Sequence, residues 1–172
     1  MNWSLVEKYR ELLNKEISLI NVRNFGEREV NFALVYPNMY NLAMSNLGFM
    51  SIYYQINTRI DSLCHRGFLP SRNNEKTFQK TRTPLFSLES QTPLKDYDIL
   101  GFSISFELDY MNILKILDLS HMPLKAADRN ENHPLIIAGG PCATFNPEPL
   151  TPYIDVFIIG EGEEVIHEFI EK

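Results

Sequence analysis

The chain has 172 residues, of which 44% are hydrophobic and 22% charged, and its formal net charge is −6. This length suits a single domain, and this composition predicts a packed core and excludes an intrinsically disordered chain. No apolar run approaches the roughly 20 residues of a membrane span, and the N-terminus lacks the pattern of a secretory signal. We therefore expect a cytoplasmic protein, and the negative charge disfavours nucleic acid as a partner of this chain alone.

The number of cysteines limits which disulfides and metal clusters the chain can form. Cys64 and Cys142 are the two cysteines of the chain, too few for a disulfide framework or for the ligands of an iron–sulfur cluster. The sequence therefore predicts neither a metal site nor a catalytic residue within this chain.

The hydrophobic pattern predicts helices and strands in alternation. In chain order, the predicted elements are an amphipathic helix at 2–15, a strand at 30–36, a helix at 45–60, a short strand at 63–69, a polar helix at 73–80, a strand at 98–104, a helix at 108–119, strands at 134–138 and 155–159, and a helix at 163–172. We interpret residues 1–24 as an N-terminal helix and linker, and 25–172 as an α/β domain.

Short apolar strands separated by helices are typical of a parallel sheet covered on both faces. The fold class that this order predicts is α/β, a doubly wound, flavodoxin-like parallel sheet of about five strands. In such sheets ligands bind in a crevice at the carboxyl ends of the strands. Candidate functional residues are therefore sought at those ends.

Four predicted strand ends carry glycines, hydroxyl residues or other residues suited to a ligand crevice. The candidate ligand-binding residues are Asn38, Met39, Tyr40, Ser45, Leu47, Gly48, Ser103, Ser105, Phe106, Glu107, Gly139, Gly140, Pro141, Gly160 and Gly162. Each segment alone also has a structural interpretation, as a chain turn, a helix cap or a hydroxyl that satisfies the backbone. Their position at one edge of one sheet favours a shared ligand site.

Common nucleotide-binding motifs are absent from the sequence. No GxGxxG motif follows the first strand, and no GxxxxGK[ST] loop is present. The first strand end also lacks the acidic residues of a phosphate-accepting receiver domain and the hydroxyl-rich loop of a flavodoxin. A P-loop is therefore excluded, and the other three classes of nucleotide or phosphate site fit the sequence poorly.

The strand ends and several further segments resemble the cobalamin-binding-type domain that precedes the radical S-adenosylmethionine (SAM) domain in many two-domain enzymes. More narrowly, the chain is similar to the N-terminal part of an uncharacterised bacterial radical SAM family. The segments that carry the resemblance are 32–40 with 44–48, 84–90, 101–107, 124–129, 137–142, 146–150 and 160–164. The strings Pro-Leu-Phe-Ser-Leu-Glu-Ser and Gly-Gly-Pro-Cys-Ala are the most specific among them.

The resemblance implies cobalamin as a cofactor, with two departures from the pattern. Cobalamin domains that ligate the cobalt through histidine carry DxHxxG after the first strand, whereas 37–48 contains no histidine. The lower face of the cobalt is then expected to meet Asn38, Met39 or Tyr40. The chain also lacks CxxxCxxC, so a [4Fe–4S] cluster and SAM are expected only in a radical SAM domain beyond residue 172.

Two functions are consistent with this resemblance. The first is an accessory cobalamin- or substrate-binding domain of a radical SAM enzyme that carries out a methylation or a rearrangement. The second is a structural docking module that has lost cobalamin and helps the radical SAM domain recognise an RNA or a ribosome-linked substrate. In both, the partner of this chain is its own C-terminal radical SAM domain.

Overall fold

Five parallel strands form the single sheet of the protein, whose computed structural model describes residues 2–172. The strands are β1 (Val30–Tyr36), β2 (Ser62–Phe68), β3 (Ile99–Ser103), β4 (Leu135–Gly139) and β5 (Val156–Phe157). Their spatial order is β2-β1-β3-β4-β5, and every pairing is parallel. This order is that of the flavodoxin-like doubly wound folds, so the predicted fold class is confirmed.

Within residues 2–172, seven α-helices connect and cover these strands. They are α1 (Trp3–Leu13), α2 (Tyr40–Met44), α3 (Leu47–Thr58), α4 (Arg72–Thr81), α5 (Tyr110–Leu119), α6 (Pro141–Phe145) and α7 (Gly162–Ile170). Short 3₁₀ turns occur at Leu94–Asp96, Glu107–Asp109, Ala126–Asp128 and Glu148–Leu150. No helix among residues 2–172 is long and apolar enough to cross a membrane.

Two of the helices, α2 and α6, were not predicted. Each is five residues long and lies in a segment that the sequence predicted as a loop. Five residues are little more than one turn, too short for a repeat of 3.6 residues to stand out. The predicted strand at 155–159 is also shorter than expected, because only two of its residues pair with β4.

The helices divide between the two faces of the sheet. On one face, α3 and α7 contact each other, and the Arg59 guanidinium at the end of α3 donates to the His167 carbonyl at 3.3 Å. On the other face α4 contacts α5, and Tyr9 of α1 packs on Phe86 with ring centroids 4.8 Å apart. This division follows from right-handed crossovers that run in opposite directions, from β1 to β2 through α3 and from β2 past β1 to β3 through α4.

The edge strand β2 is buried although it carries polar residues. Its outer edge is satisfied by side chains and a loop instead of a sixth strand. The Asn57 amide accepts from the Cys64 N–H and donates to the Cys64 carbonyl, both at 3.0 Å, and Glu89 accepts from the Arg66 N–H at 2.7 Å. These bonds remove the unpaired edge that would otherwise invite association with another chain.

A buried ion cluster ties this edge to the segment after α1. The Arg66 side chain is 3% exposed, and it contacts Glu89 Oε1 at 2.6 Å and Glu16 Oε2 at 2.7 Å. Its guanidinium also lies 4.7 Å from the centroid of the Tyr53 ring. Burial by itself lowers the pKa of Arg66, but the carboxylates of Glu89 and Glu16 outweigh it and the pKa is raised.

Replacing Arg66 tests how strongly this cluster stabilises the fold. We expect Arg66→Met to lower the free energy of unfolding by about 3–5 kcal/mol, because two carboxylates are left buried without a cation. Urea unfolding measures the change. In the control, Lys115→Met removes a partly exposed ion pair with Glu75 and costs less than about 1 kcal/mol. A loss at Arg66 no larger than that at Lys115 would contradict this account.

Candidate functional site

A cavity of about 560 Å³ lies between the sheet and the helix pair α3–α7, at the carboxyl ends of the strands. Its floor is formed by Phe32 and Leu34 of β1 and Ile137 of β4. Ile52 of α3 and Ile166 of α7 form its walls. A concave, mainly apolar space of this size is typical of small-molecule sites.

Two glycines of the central strands, Gly101 and Gly139, shape the floor of the cavity. A Cβ at Gly101 would lie 2.7 Å from the Phe32 ring, so only glycine allows the ring to lie across β3. A Cβ at Gly139 would reach no atom closer than 3.7 Å, at Ile158. A Cβ at Gly139 would thus touch Ile158 at an ordinary van der Waals distance, and Gly139 itself lines the cavity.

Hydrogen bonds join the loops around the mouth of the cavity. Asn46 caps α3 by accepting from the Phe49 N–H at 2.9 Å, and its amide donates to the Ser105 hydroxyl at 3.0 Å. Thr144 accepts from the Gly160 N–H at 3.1 Å and donates to the Gly140 carbonyl at 3.2 Å. The loop after β1 is thus fixed to the loop after β3, and the segment after β4 is fixed to the loop after β5.

Gly140 holds the tightest backbone contact at the mouth. Its φ is +101°, and a Cβ there would lie 2.7 Å from the Ile104 carbonyl oxygen. That carbonyl accepts from the Cys142 N–H at 3.2 Å, and the Ile104 N–H donates to the Gly139 carbonyl at 2.9 Å. Both steric space and the left-handed conformation require glycine here.

The charged side chains that line the cavity are carboxylates. Glu161 and Glu163 line the mouth, and none of the lining residues is Lys, Arg or His. The N-termini of α3 and α7 also lie at this edge, and they supply the partial positive charge of backbone N–H groups. The site therefore suits a largely apolar ligand with hydrogen-bonding groups at its exposed end.

The structure brings together nine of the predicted site residues as lining of this cavity. These nine are Leu47, Gly48, Ser103, Ser105, Gly139, Gly140, Pro141, Gly160 and Gly162. The six that do not line it are Asn38, Met39, Tyr40, Ser45, Phe106 and Glu107.

Several of these six residues have structural contacts instead. The Asn38 amide donates to Asp109 Oδ1 at 2.8 Å and so joins the β1 loop to the β3 loop. Tyr40 donates to Glu16 at 2.7 Å, and Ser45 donates to the Leu42 carbonyl at 2.8 Å. Met39, by contrast, is half exposed at the sheet edge.

Sequence reasoning missed lining residues that lie within strands and helices. These include Phe32, Leu34, Ile52, Gly101, Ile137, Thr144, Phe145 and Ile166, and Ile158, directly after β5, was missed as well. Gly101 carried a usable signal, since a glycine inside a buried strand often marks a close approach. The apolar residues carried none, because a cavity wall and a filled core have the same sequence pattern.

Two buried acidic groups lie near the mouth and outside the cavity. Burial raises the pKa of Asp109, while hydrogen bonds from Asn38 and Asn112 oppose the shift, and its Oδ2 has no hydrogen-bond partner. Burial, together with the charge of Glu107, raises the pKa of the Cys142 thiol. Because the Cys142 thiol is free and buried, we interpret Cys142 as a small core residue and not as a nucleophile.

No group of three or more His, Cys, Asp or Glu side chains is placed to hold a metal ion among residues 2–172. The buried histidine, His65, belongs to the β2 edge: its Nε2 donates to the Arg23 carbonyl at 2.8 Å, and its Nδ1 lies in hydrogen-bond contact with the Tyr97 hydroxyl at 2.6 Å. Both ring nitrogens are thus engaged away from the cavity.

A second cavity, of about 390 Å³, lies between this edge and residues 16–24. Its charged walls include Glu16, Arg66 and Glu89, which satisfy one another in the ion cluster. Because these groups already have partners, we assign this cavity a structural role.

Comparison with known proteins identifies the type of domain. A family model described as "Radical SAM proteins, N-terminal" matches residues 48–172. An uncharacterised protein of Methanocaldococcus jannaschii is 25% identical over 144 residues. That alignment covers 83% of this chain but 27% of the archaeal protein, so the chain spans about a quarter of the length of this relative.

Alanine substitutions at two glycines test the geometry of the mouth. We expect Gly140→Ala to lower the free energy of unfolding by about 1–3 kcal/mol, because a Cβ collides with the Ile104 carbonyl at a positive φ. Gly48→Ala is the matched control: its Cβ meets only Asn46 Oδ1, at 3.5 Å, and alanine is favoured in a helix. Equal stabilities of the two variants in urea unfolding would contradict the geometry.

The pH dependence of stability tests the burial of Asp109. Its pKa is raised from 3.8, so the folded state holds the proton more tightly than the unfolded chain does. The protonated Asp109 carboxyl therefore contributes its full stabilisation at pH values below 3.8. This contribution is lost as the pH rises through the pKa that Asp109 has in the folded state. We therefore expect Asp109→Asn to be more stable relative to the parent protein at pH 7 than at pH 4. Thermal unfolding at both values measures this difference, and an equal difference at both would refute it.

Proposed function

The chain belongs to the radical SAM protein N-terminal family, and we propose from this that it is an accessory ligand-binding domain of a radical SAM protein. The observation that carries the proposal is the apolar cavity at the carboxyl ends of β1, β3 and β4. Open α/β sheets bind their ligands at this edge, near the point where the strand order reverses. In this protein that point lies between β1 and β3.

The reacting groups of radical chemistry would come from elsewhere in the full-length protein. Family membership implies a linked radical SAM domain. A [4Fe–4S] cluster needs more thiolate ligands than Cys64 and Cys142 could supply, and both are buried as free thiols. We assign to the linked domain the binding of cluster and SAM, and to this chain the binding of a second molecule.

We propose cobalamin as that molecule, and the residues present fit one part of it. The base at the end of its nucleotide tail is flat and apolar, which suits the space bounded by Phe32, Ile52 and Ile166. The missing side chain at Gly139 leaves room for the tail to enter. Ser103 and Ser105, at the mouth, are in place to hydrogen-bond the polar part of the molecule.

No histidine is available from the cavity lining for the lower face of the cobalt. Asn38, Met39 and Tyr40 are the residues expected to face the cobalt. Asn38 is hydrogen-bonded to Asp109 and Tyr40 to Glu16, whereas Met39 is half exposed. We therefore propose binding without a protein nitrogen ligand. Bound cobalamin would supply methyl-transfer or radical chemistry, and this chain would hold and orient it.

The small-molecule proposal is favoured over an RNA-binding role by the charge of the mouth. Its charged lining residues are Glu161 and Glu163, which repel phosphate groups. A basic surface on the linked domain would be needed to reverse that repulsion.

Cobalamin retention by the full-length protein tests the proposal. We expect the protein to retain hydroxocobalamin absorbance after desalting. Gly139→Val should weaken binding by about tenfold or more, because the new side chain fills the cavity. The matched control is Ala127→Val, at an exposed site remote from the cavity, which should leave retention unchanged. Absence of retention by the full-length protein would reject cobalamin as the ligand.

A further inference from the structure

Large apolar side chains are exposed at the carboxyl edge of the sheet, and two of them, Leu47 and Phe145, line the mouth of the cavity. They belong to the segments that follow β1, β3 and β4, and all lie at the carboxyl edge of the sheet. We refer to them as the apolar rim, which consists of Leu42, Leu47, Phe106, Leu108, Met111 and Phe145. Exposed apolar residues that cluster in this way mark an interaction surface, whereas single ones are ordinary.

The extent of exposure shows that the rim is not part of the core of this domain. Leu108 is 91% exposed and Met111 is 71% exposed, although both lie in or beside α5, whose other face is buried. Phe145 and Leu47 stand at the mouth itself and are similarly exposed. A partner seated on these side chains would also cover the opening of the cavity.

The charges in the same segments restrict the chemistry of the partner. Residues 37–46, which follow β1, contain no charged residue. The exposed charged side chains in the loops beside the rim are the carboxylates of Glu107, Glu161 and Glu163, whereas the exposed Lys115, one turn after Met111, pairs with Glu75 at 3.5 Å. An apolar surface edged by carboxylates repels nucleic acid and anionic lipid, and it suits a protein surface that is apolar at its centre.

We propose that the apolar rim is the docking surface for the radical SAM domain of the same polypeptide, which closes the mouth of the cavity. Family membership supplies this partner, and most of the archaeal relative lies outside the aligned region. Tethering raises the effective concentration of a linked domain, so an interface of modest size suffices to hold it. The proposal rests on family membership and on the rim, and it does not depend on which ligand the cavity binds.

The test uses the full-length protein and two rim residues that do not line the cavity. The double variant Leu108→Asp, Met111→Glu should undock the domain, because it places charges in an apolar interface. Backbone amides of residues 141–146, which the variant does not alter, should then exchange hydrogen at least about tenfold faster. The control Ile60→Asp alters an equally exposed residue at the opposite edge of the sheet and should leave that exchange unchanged.

Two further measurements show whether a change in exchange comes from undocking, from unfolding or from loss of ligand binding. Circular dichroism verifies that the variant is folded, and Phe106→Ser provides a milder change if it is not. Retention of hydroxocobalamin by the same variants is measured separately, so failure of docking and failure of ligand binding can be distinguished. Unchanged exchange in the rim variants would overturn the proposal. So would a full-length dimer that the rim variant converts to monomer, because the occupant would then be a second copy.

Discussion

The ring of Phe32 lies across β3 at Gly101, and the cavity at the carboxyl edge depends on this contact. A side chain at residue 101 would meet the ring at 2.7 Å, so β3 has none there, and the ring forms the floor instead. The helices α3 and α7 close over this floor and meet where Gly162 approaches Ile52; a Cβ on that glycine would lie 3.1 Å from Ile52. The enclosed space reaches the carboxyl ends of the strands, where Ser103 and Gly139 line it.

The loops around the cavity are joined by hydrogen bonds, whereas the apolar side chains beyond these loops are not covered by other parts of the domain. Side-chain hydrogen bonds from Asn46 and Thr144 fix the loops to one another, and Gly140 packs directly on the backbone of β3's loop. Beyond the loops, however, apolar side chains such as Leu108 face solvent. A preformed site with an uncovered apolar border is what a domain that works against a second domain requires.

The sequence predicted the sheet and one edge of the site but not its interior. Alternating apolar strands and helices gave the fold, because parallel strands buried on both faces have a distinctive pattern. Glycines and serines at the strand ends located the mouth, where nine predicted residues meet. Asn38 and Tyr40 were placed by sequence in the ligand site, yet they bond to Asp109 and Glu16, partners distant in the chain.

The β2 edge shows why some structure could not be predicted. Arg66 and His65 are polar residues in a short segment, and their burial depends on Glu16, Glu89 and Tyr97. Such pairings join residues up to 50 positions apart, and no local pattern indicates them. The same holds for the walls of the cavity, since Ile52 and Ile166 are identical in pattern to core residues.

The central claim is that the cavity at the carboxyl edge is a ligand site, and amide nuclear magnetic resonance tests it most directly. Titration of the isotope-labelled protein with hydroxocobalamin should shift the amide signals of Gly139, Gly140, Gly160 and Gly162, which line the mouth. Amides at the β2 edge, such as that of His65, should not move. Shifts confined to the β2 edge, or no shifts at saturating ligand, would contradict the assignment of this cavity.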